Sequence, residues 1–124
     1  MGVVREFTCP SCHRSWKVFT GQGMMHGSLS AAAKTFPPDM QKQILMKARE
    51  GEPLFLFQFQ QAVCGYCGSV EAVPILHFPE SEETLTGPCP QCGGEARIIH
   101  EGSFVTCPQC GEGILEEKET GHWD

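Results

Sequence analysis

The sequence predicts a small α+β fold held together by metal, built from two antiparallel β modules, the first with one inserted helix. Three observations predict it. Eight cysteines fall into four Cys-x-x-Cys pairs with none left over: Cys9/Cys12, Cys64/Cys67, Cys89/Cys92 and Cys107/Cys110. Short strand-like stretches flank these pairs, and a single helical stripe lies between the first two. The chain has 124 residues, of which 14 are Gly and 9 are Pro, a composition that favours turns over long regular elements. Modules this small have little core, so the cysteines are read as part of the folding energy.

Each pair is a tight turn that aims two thiolates at one ion. Four such half-sites make two tetrahedral sites, the zinc-ribbon pattern, with two Zn2+ per chain. Pro follows the first Cys in three pairs, and Gly68, Gly93 and Gly111 follow the second Cys in three. Gly is favoured there because the residue takes a left-handed conformation. His13 occupies that position in the first pair and tolerates it better than most side chains. Cys9-Pro10-Ser11-Cys12-His13 also matches a haem attachment motif, but the three sister pairs argue for metal. Soft thiolates suit iron as well as zinc, so a rubredoxin-like iron electron carrier is the rival reading. Disulfides are the other rival. No apolar run resembles a leader or a membrane span, so the expected compartment is cytoplasmic, where thiols stay reduced.

Taken in order, Trp16 to Thr20 reads as a strand leaving the first pair. Gly21–Ser30 is glycine-rich and irregular. A helix is expected over about 39–50. Pro37-Pro38 set its entry and Asp39 suits its positive end; Met40, Ile44, Leu45 and Ala48 form its apolar stripe, and Gly51 with Pro53 stops it. Leu54 to Phe59 reads as a largely buried strand running to Cys64. Ala72 to Phe78 leaves the second pair as another strand, with Pro74 at an edge or bulge. The acidic stretch 79–88, bracketed by prolines, reads as a linker between a first domain, 1–78, and a C-terminal ribbon, 89–124. In that ribbon, 96–100 and 103–106 read as strands around a Glu101-Gly102 turn.

Linker and spacing favour sequential pairing: Cys9, Cys12, Cys64 and Cys67 as site 1, and Cys89, Cys92, Cys107 and Cys110 as site 2. The competing scheme joins the two middle pairs and the two outer pairs, and requires interleaved modules; short connections argue against it.

Residues 7–78 resemble the CpXC family. The likeness rests on the opening FTCPSC, the helix PPDMQKQIL, the turn into GEPLFLF, the second knuckle CGYCG and the exit strand VPILHF. It departs at Cys64-Gly65-Tyr66-Cys67, which lacks Pro, and at Gly21–Ser30. The resemblance implies a metal-stapled fold for this part and carries no activity.

Four sulfur ligands close a coordination shell, leaving no position for water or substrate. No Ser/His/Asp arrangement or phosphate loop stands out, so no catalytic residue is assigned. His26, His77, His100 and His122 read as surface or strand histidines, and Glu80–Glu83 and Glu116–Glu119 as solvated segments. Net charge is -6, divided as +4 over residues 1–50 and -10 over 51–124. Each four-thiolate zinc site adds about -2. That acidity disfavours nucleic acid, although Arg14 and Lys17 beside Trp16 and Phe19 keep it as an alternative. The expected role is a protein-interaction or assembly module, with Met24-Met25 and the exposed helix face as a docking patch. A metal-delivery role is weighed against the tight hold of closed thiolate sites.

Overall fold

The computed structural model describes residues 2–22, 27–49 and 51–123. The expected docking methionines Met24 and Met25, and His26, lie outside the described residues.

Two hairpins organise the chain. β1 (Gly2–Thr8) pairs antiparallel with β2 (Ser15–Gly21), and β3 (Leu56–Cys64) with β4 (Val70–Phe78). The first two Cys-x-x-Cys knuckles are the tips of these hairpins. β5 (Glu83–Thr86) adds to β4, β6 (Ala96–Ile98) adds to β3, and β7 (Glu116–Trp123) adds to β1. Each hairpin therefore gains a third strand beside its first, the plan of a zinc-ribbon-like motif. One such ribbon is nested inside the other: the inner is built from 56–98, the outer from 2–21 and 105–123. Among the described residues one bridge, Gly21 to Phe59, joins them into one sheet of order β5-β4-β3-β2-β1-β7.

Two short helices, α1 (Leu29–Ala33) and α2 (Pro38–Met46), fill the connection between the hairpins. The Ser28 hydroxyl caps α1 by accepting from the Ala31 N–H at 3.2 Å, which satisfies one of the free donors of the first turn. Pro opens α2, where its missing N–H costs nothing. The spacing of Leu29, Ala32, Ala33 and Phe36 puts all four on one side, and they bury with Ile44 against Phe57, Leu76 and Phe78. Leu29, Ile44 and Leu76 are fully buried, each contributing about 1.5–3 kcal/mol.

A second core has Phe7 and Val18 from the outer hairpin, Val63 and Val70 from the inner one, and Ile99 and Val105 from the segment between β6 and the last knuckle. This core is shared by both ribbons. The division into 1–78 and 89–124 is therefore not how the molecule is built. The expected linker also holds β5, where Leu85 packs on the helical core and Thr84 and Thr86 face out. Its charge and prolines mark a polar sheet edge rather than an unstructured spacer.

Other expectations shift for local reasons. The helix ends at Met46 and continues to 49 only as turns, with Gly51 following at φ +124°. Leu45 is exposed, whereas Met40 and Ala48 pack as expected. Leu54 and Leu56 are also exposed, and β3 starts two residues later than the aromatic run. The expected hairpin of 96–100 with 103–106 does not form. Glu101-Gly102 does turn, with Ser103 N–H on the His100 carbonyl at 3.0 Å and Gly102 at φ +81°. However, β6 pairs with β3, and Thr106 bridges Ile114. Pro74 sits where the β5 ladder ends. Its carbonyl accepts from Gly87 N–H at 2.8 Å, and its missing N–H faces that same side, away from β3.

Candidate metal centres

The four knuckles share one main-chain geometry. In each, the carbonyl of the first Cys accepts from the N–H four residues on: His13, Gly68, Gly93 and Gly111, at 2.8–3.0 Å. In each, the N–H of the first Cys donates across the turn, to the carbonyl of Arg14, Ser69, Gly94 or Gly113, at 2.7–2.9 Å. The turn closes only if the residue after the second Cys has positive φ. His13 has φ 65°, Gly68 71°, Gly93 77° and Gly111 71°. The sequence expectation for these positions holds, and His13 serves the backbone: it is exposed and belongs to neither thiol cluster.

The eight cysteines converge in two groups of four, each with its sulfurs within 4.8 Å of one another. All are free thiols. The inner group is Cys64, Cys67, Cys89 and Cys92, and the outer is Cys9, Cys12, Cys107 and Cys110. This is the interleaved pairing, and it corrects the sequential one. Cys64 meets Cys92 at 3.5 Å and Cys67 meets Cys89 at 3.7 Å. Cys9 meets Cys110 at 3.6 Å and Cys12 meets Cys107 at 3.7 Å. Topology is the cause. Each third strand must lie beside the first strand of its hairpin, so the knuckle preceding β6 returns to the tip of β3–β4. The knuckle preceding β7 returns to the tip of β1–β2.

The donor set fits a tetrahedral metal. Sulfurs about 2.3 Å from a central ion form a tetrahedron with edges of about 3.8 Å, close to the spacings above. In each group the first cysteine of each knuckle is buried and the second is more open; Cys67 and Cys92 of the inner group are exposed. Main-chain N–H groups also point at sulfur: Cys12 N–H at Cys9 and Gly94 N–H at Cys92, both at 3.4 Å.

These dipoles polarise the thiols. The Gly113 and Glu112 amides pull Cys110 down to about 6 against the desolvation that opposes them. The Cys67 amide, helped by that of Tyr66, pulls Cys64 down to about 7. For Cys12 the Arg14 amide lowers the value, but desolvation and three neighbouring thiols outweigh it and leave it near 11. For Cys92 the Gly94 amide is likewise outweighed by Cys64, desolvation, Cys67 and Cys89, again near 11. Loading a metal displaces the thiol protons that remain in each cluster.

Glycines let the chain come close. A Cβ at Gly113 would stand 2.5 Å from the Cys9 sulfur, and one at Gly94 would stand 2.8 Å from the Tyr66 ring. Neither contact was read from the sequence; the signal available was a second Gly beyond each of the last two knuckles.

No histidine joins a cluster among the described residues. His77 bonds Thr84 across β4 and β5 at 2.8 Å, and His122 lies 3.7 Å from Glu119. The glutamate stretches supply ion pairs, Glu83 with Lys47 at 2.6 Å and Glu117 with Arg5 at 2.7 Å. No helix among the described residues is long and apolar enough to cross a membrane.

No family model, curated protein or solved structure matches the chain. Fold and site define its class: a small antiparallel β protein with two helices and two four-cysteine groups able to hold metal.

Proposed function

We propose that the chain is a structural-zinc protein whose two closed four-thiolate centres staple nested ribbons into a protein-interaction or assembly module, with no catalysis of its own. The observation that carries the zinc reading is the pair of sulfur tetrahedra, with contacts of 3.5–3.7 Å and every corner occupied by sulfur. Such a shell has no open position for water or substrate, so the metal's work is to fold the chain. The interaction role is favoured by aromatics held out to solvent, with Phe104 88% and Tyr66 77% exposed. A nucleic-acid role is disfavoured by the sheet register. Lys17 of β2 and Lys118 of β7 both stand opposite Glu6 of β1, so positive charge is interrupted there. The CpXC likeness of residues 7–78 is kept only for its order of knuckle, helix, aromatic strand and knuckle, since its two knuckles serve different centres.

Iron is the second reading, because N–H groups aimed at sulfur are also what tunes iron–sulfur potentials. Metal analysis and an absorption spectrum of protein from native extract separate the two. Two zinc per chain and no colour are expected; a red protein with iron would replace zinc by electron transfer. Affinity capture from the same extract should return a stoichiometric protein partner, and recovery of nucleic acid alone would overturn the assembly role.

A further inference from the structure

The two centres are joined by one side chain. The last two knuckles have the same five residues, Cys-Pro-Gln-Cys-Gly, at 89–93 and 107–111. Gln109, in the outer centre, donates its amide to the Gly68 carbonyl of the inner centre at 2.5 Å and lies 3.5 Å from the Cys67 carbonyl. The contact depends on glycine: a Cβ at Gly68 would come 2.6 Å from the Gln109 amide nitrogen. Gln91, the equivalent residue of the inner centre, makes no hydrogen bond among the described residues. The duplicated motif is thus used asymmetrically.

The segment between these knuckles is anchored at both ends. Ile99 N–H donates to the Gln61 carbonyl, and the Gln61 amide donates to the Ile99 carbonyl, both at 2.9 Å. At the other end Val105 accepts from Leu115 N–H at 2.8 Å. Ile99 and Val105 both bury in the core shared by the ribbons. Forming the inner ribbon therefore delivers the last knuckle towards Cys9 and Cys12. Chain closure favours the same order. The inner centre closes the loop 67–89 and the outer the loop 12–107, a difference on the order of tenfold in closing probability for a flexible chain.

We propose that metal loading is ordered and coupled: the inner centre's affinity advantage exceeds the positive coupling between the centres, so the singly loaded chain accumulates at one equivalent. The inner centre (Cys64, Cys67, Cys89, Cys92) fills first and positions the last knuckle, and Gln109 transmits part of the coupling. This rests on the reading that both clusters hold metal. The coupling is reciprocal, so a filled outer centre also tightens the inner one.

The test uses the whole 124-residue chain, free of metal. One equivalent of Zn2+ is added, exposed thiols are alkylated, and the modified cysteines are mapped by mass spectrometry. Protection of Cys64, Cys67, Cys89 and Cys92 is expected, with Cys9, Cys12, Cys107 and Cys110 labelled. Equal protection of both sets, or protection of the outer set first, would overturn the order. Competition with a chromophoric chelator then gives the two stepwise constants. Gln109→Ala should still bind two Zn2+ but lose about three- to tenfold in the second step, while Gln91→Ala should match the parent chain. Unchanged constants in Gln109→Ala would remove its role in the coupling. No Zn2+ uptake at all would instead remove the metal reading itself, so the two failures are distinguishable.

Discussion

A single backbone requirement, a left-handed residue after the second cysteine, accounts for His13. At φ 65° an ordinary side chain costs about 1–2 kcal/mol relative to the right-handed region, less for His than for most. Glycine removes that cost but gains freedom in the unfolded chain, worth about 0.4–1 kcal/mol. His13→Gly is therefore expected to keep two metals and to change stability by no more than about +1 kcal/mol, measured by denaturant titration of the loaded protein. Loss of one metal would show that the imidazole is a ligand after all. This position was legible because three of its four equivalents are glycine. Gly113 was not legible in the same way. Its requirement comes from a sulfur 2.5 Å from where a Cβ would stand, contributed by a residue over a hundred positions away, and no local pattern encodes that.

Among the elements, β2, β3 and β4 were readable from the apolar stretches that leave the first Cys-x-x-Cys and flank the second, whereas β1 and β7 were not assigned. Helix α2 was readable from its prolines and from Gly51. Helix α1 was not assigned, although Leu29, Ala32, Ala33 and Phe36 have the spacing of one helical face behind the cap Ser28. The adjoining glycines drew the whole segment into the irregular class. Leu45 shows the converse. It satisfied the expected stripe, yet the helix packs through Met40, Ile44 and Ala48 and leaves Leu45 46% exposed. Leu29→Ala should then cost about 2–5 kcal/mol, whereas Leu45→Ala should stay within about 0.5 kcal/mol. Equal costs, read from thermal or denaturant midpoints, would place the helices differently on β3 and β4.

At the scale of the whole molecule, the number of four-cysteine groups was legible and their composition was not. Four Cys-x-x-Cys half-sites can be joined in more than one way, and charge and proline content suggested a boundary where the chain makes an edge strand. Sequence separation limits which knuckles can meet but does not choose among those within reach. The choice comes from strand pairing, β6 on β3 and β7 on β1, and from a core that takes residues from both ribbons. Nesting is thus the central structural claim, and paired substitutions test it directly. Cys12→Ser with Cys110→Ser removes two ligands from one centre if the ribbons are nested, and one ligand from each centre if they are sequential. Titration with Co2+, whose thiolate charge-transfer band reports the number of sulfur ligands, should then show one intact four-sulfur site per chain. Two weakened sites with three sulfurs each, or no four-sulfur site at all, would contradict the nested fold.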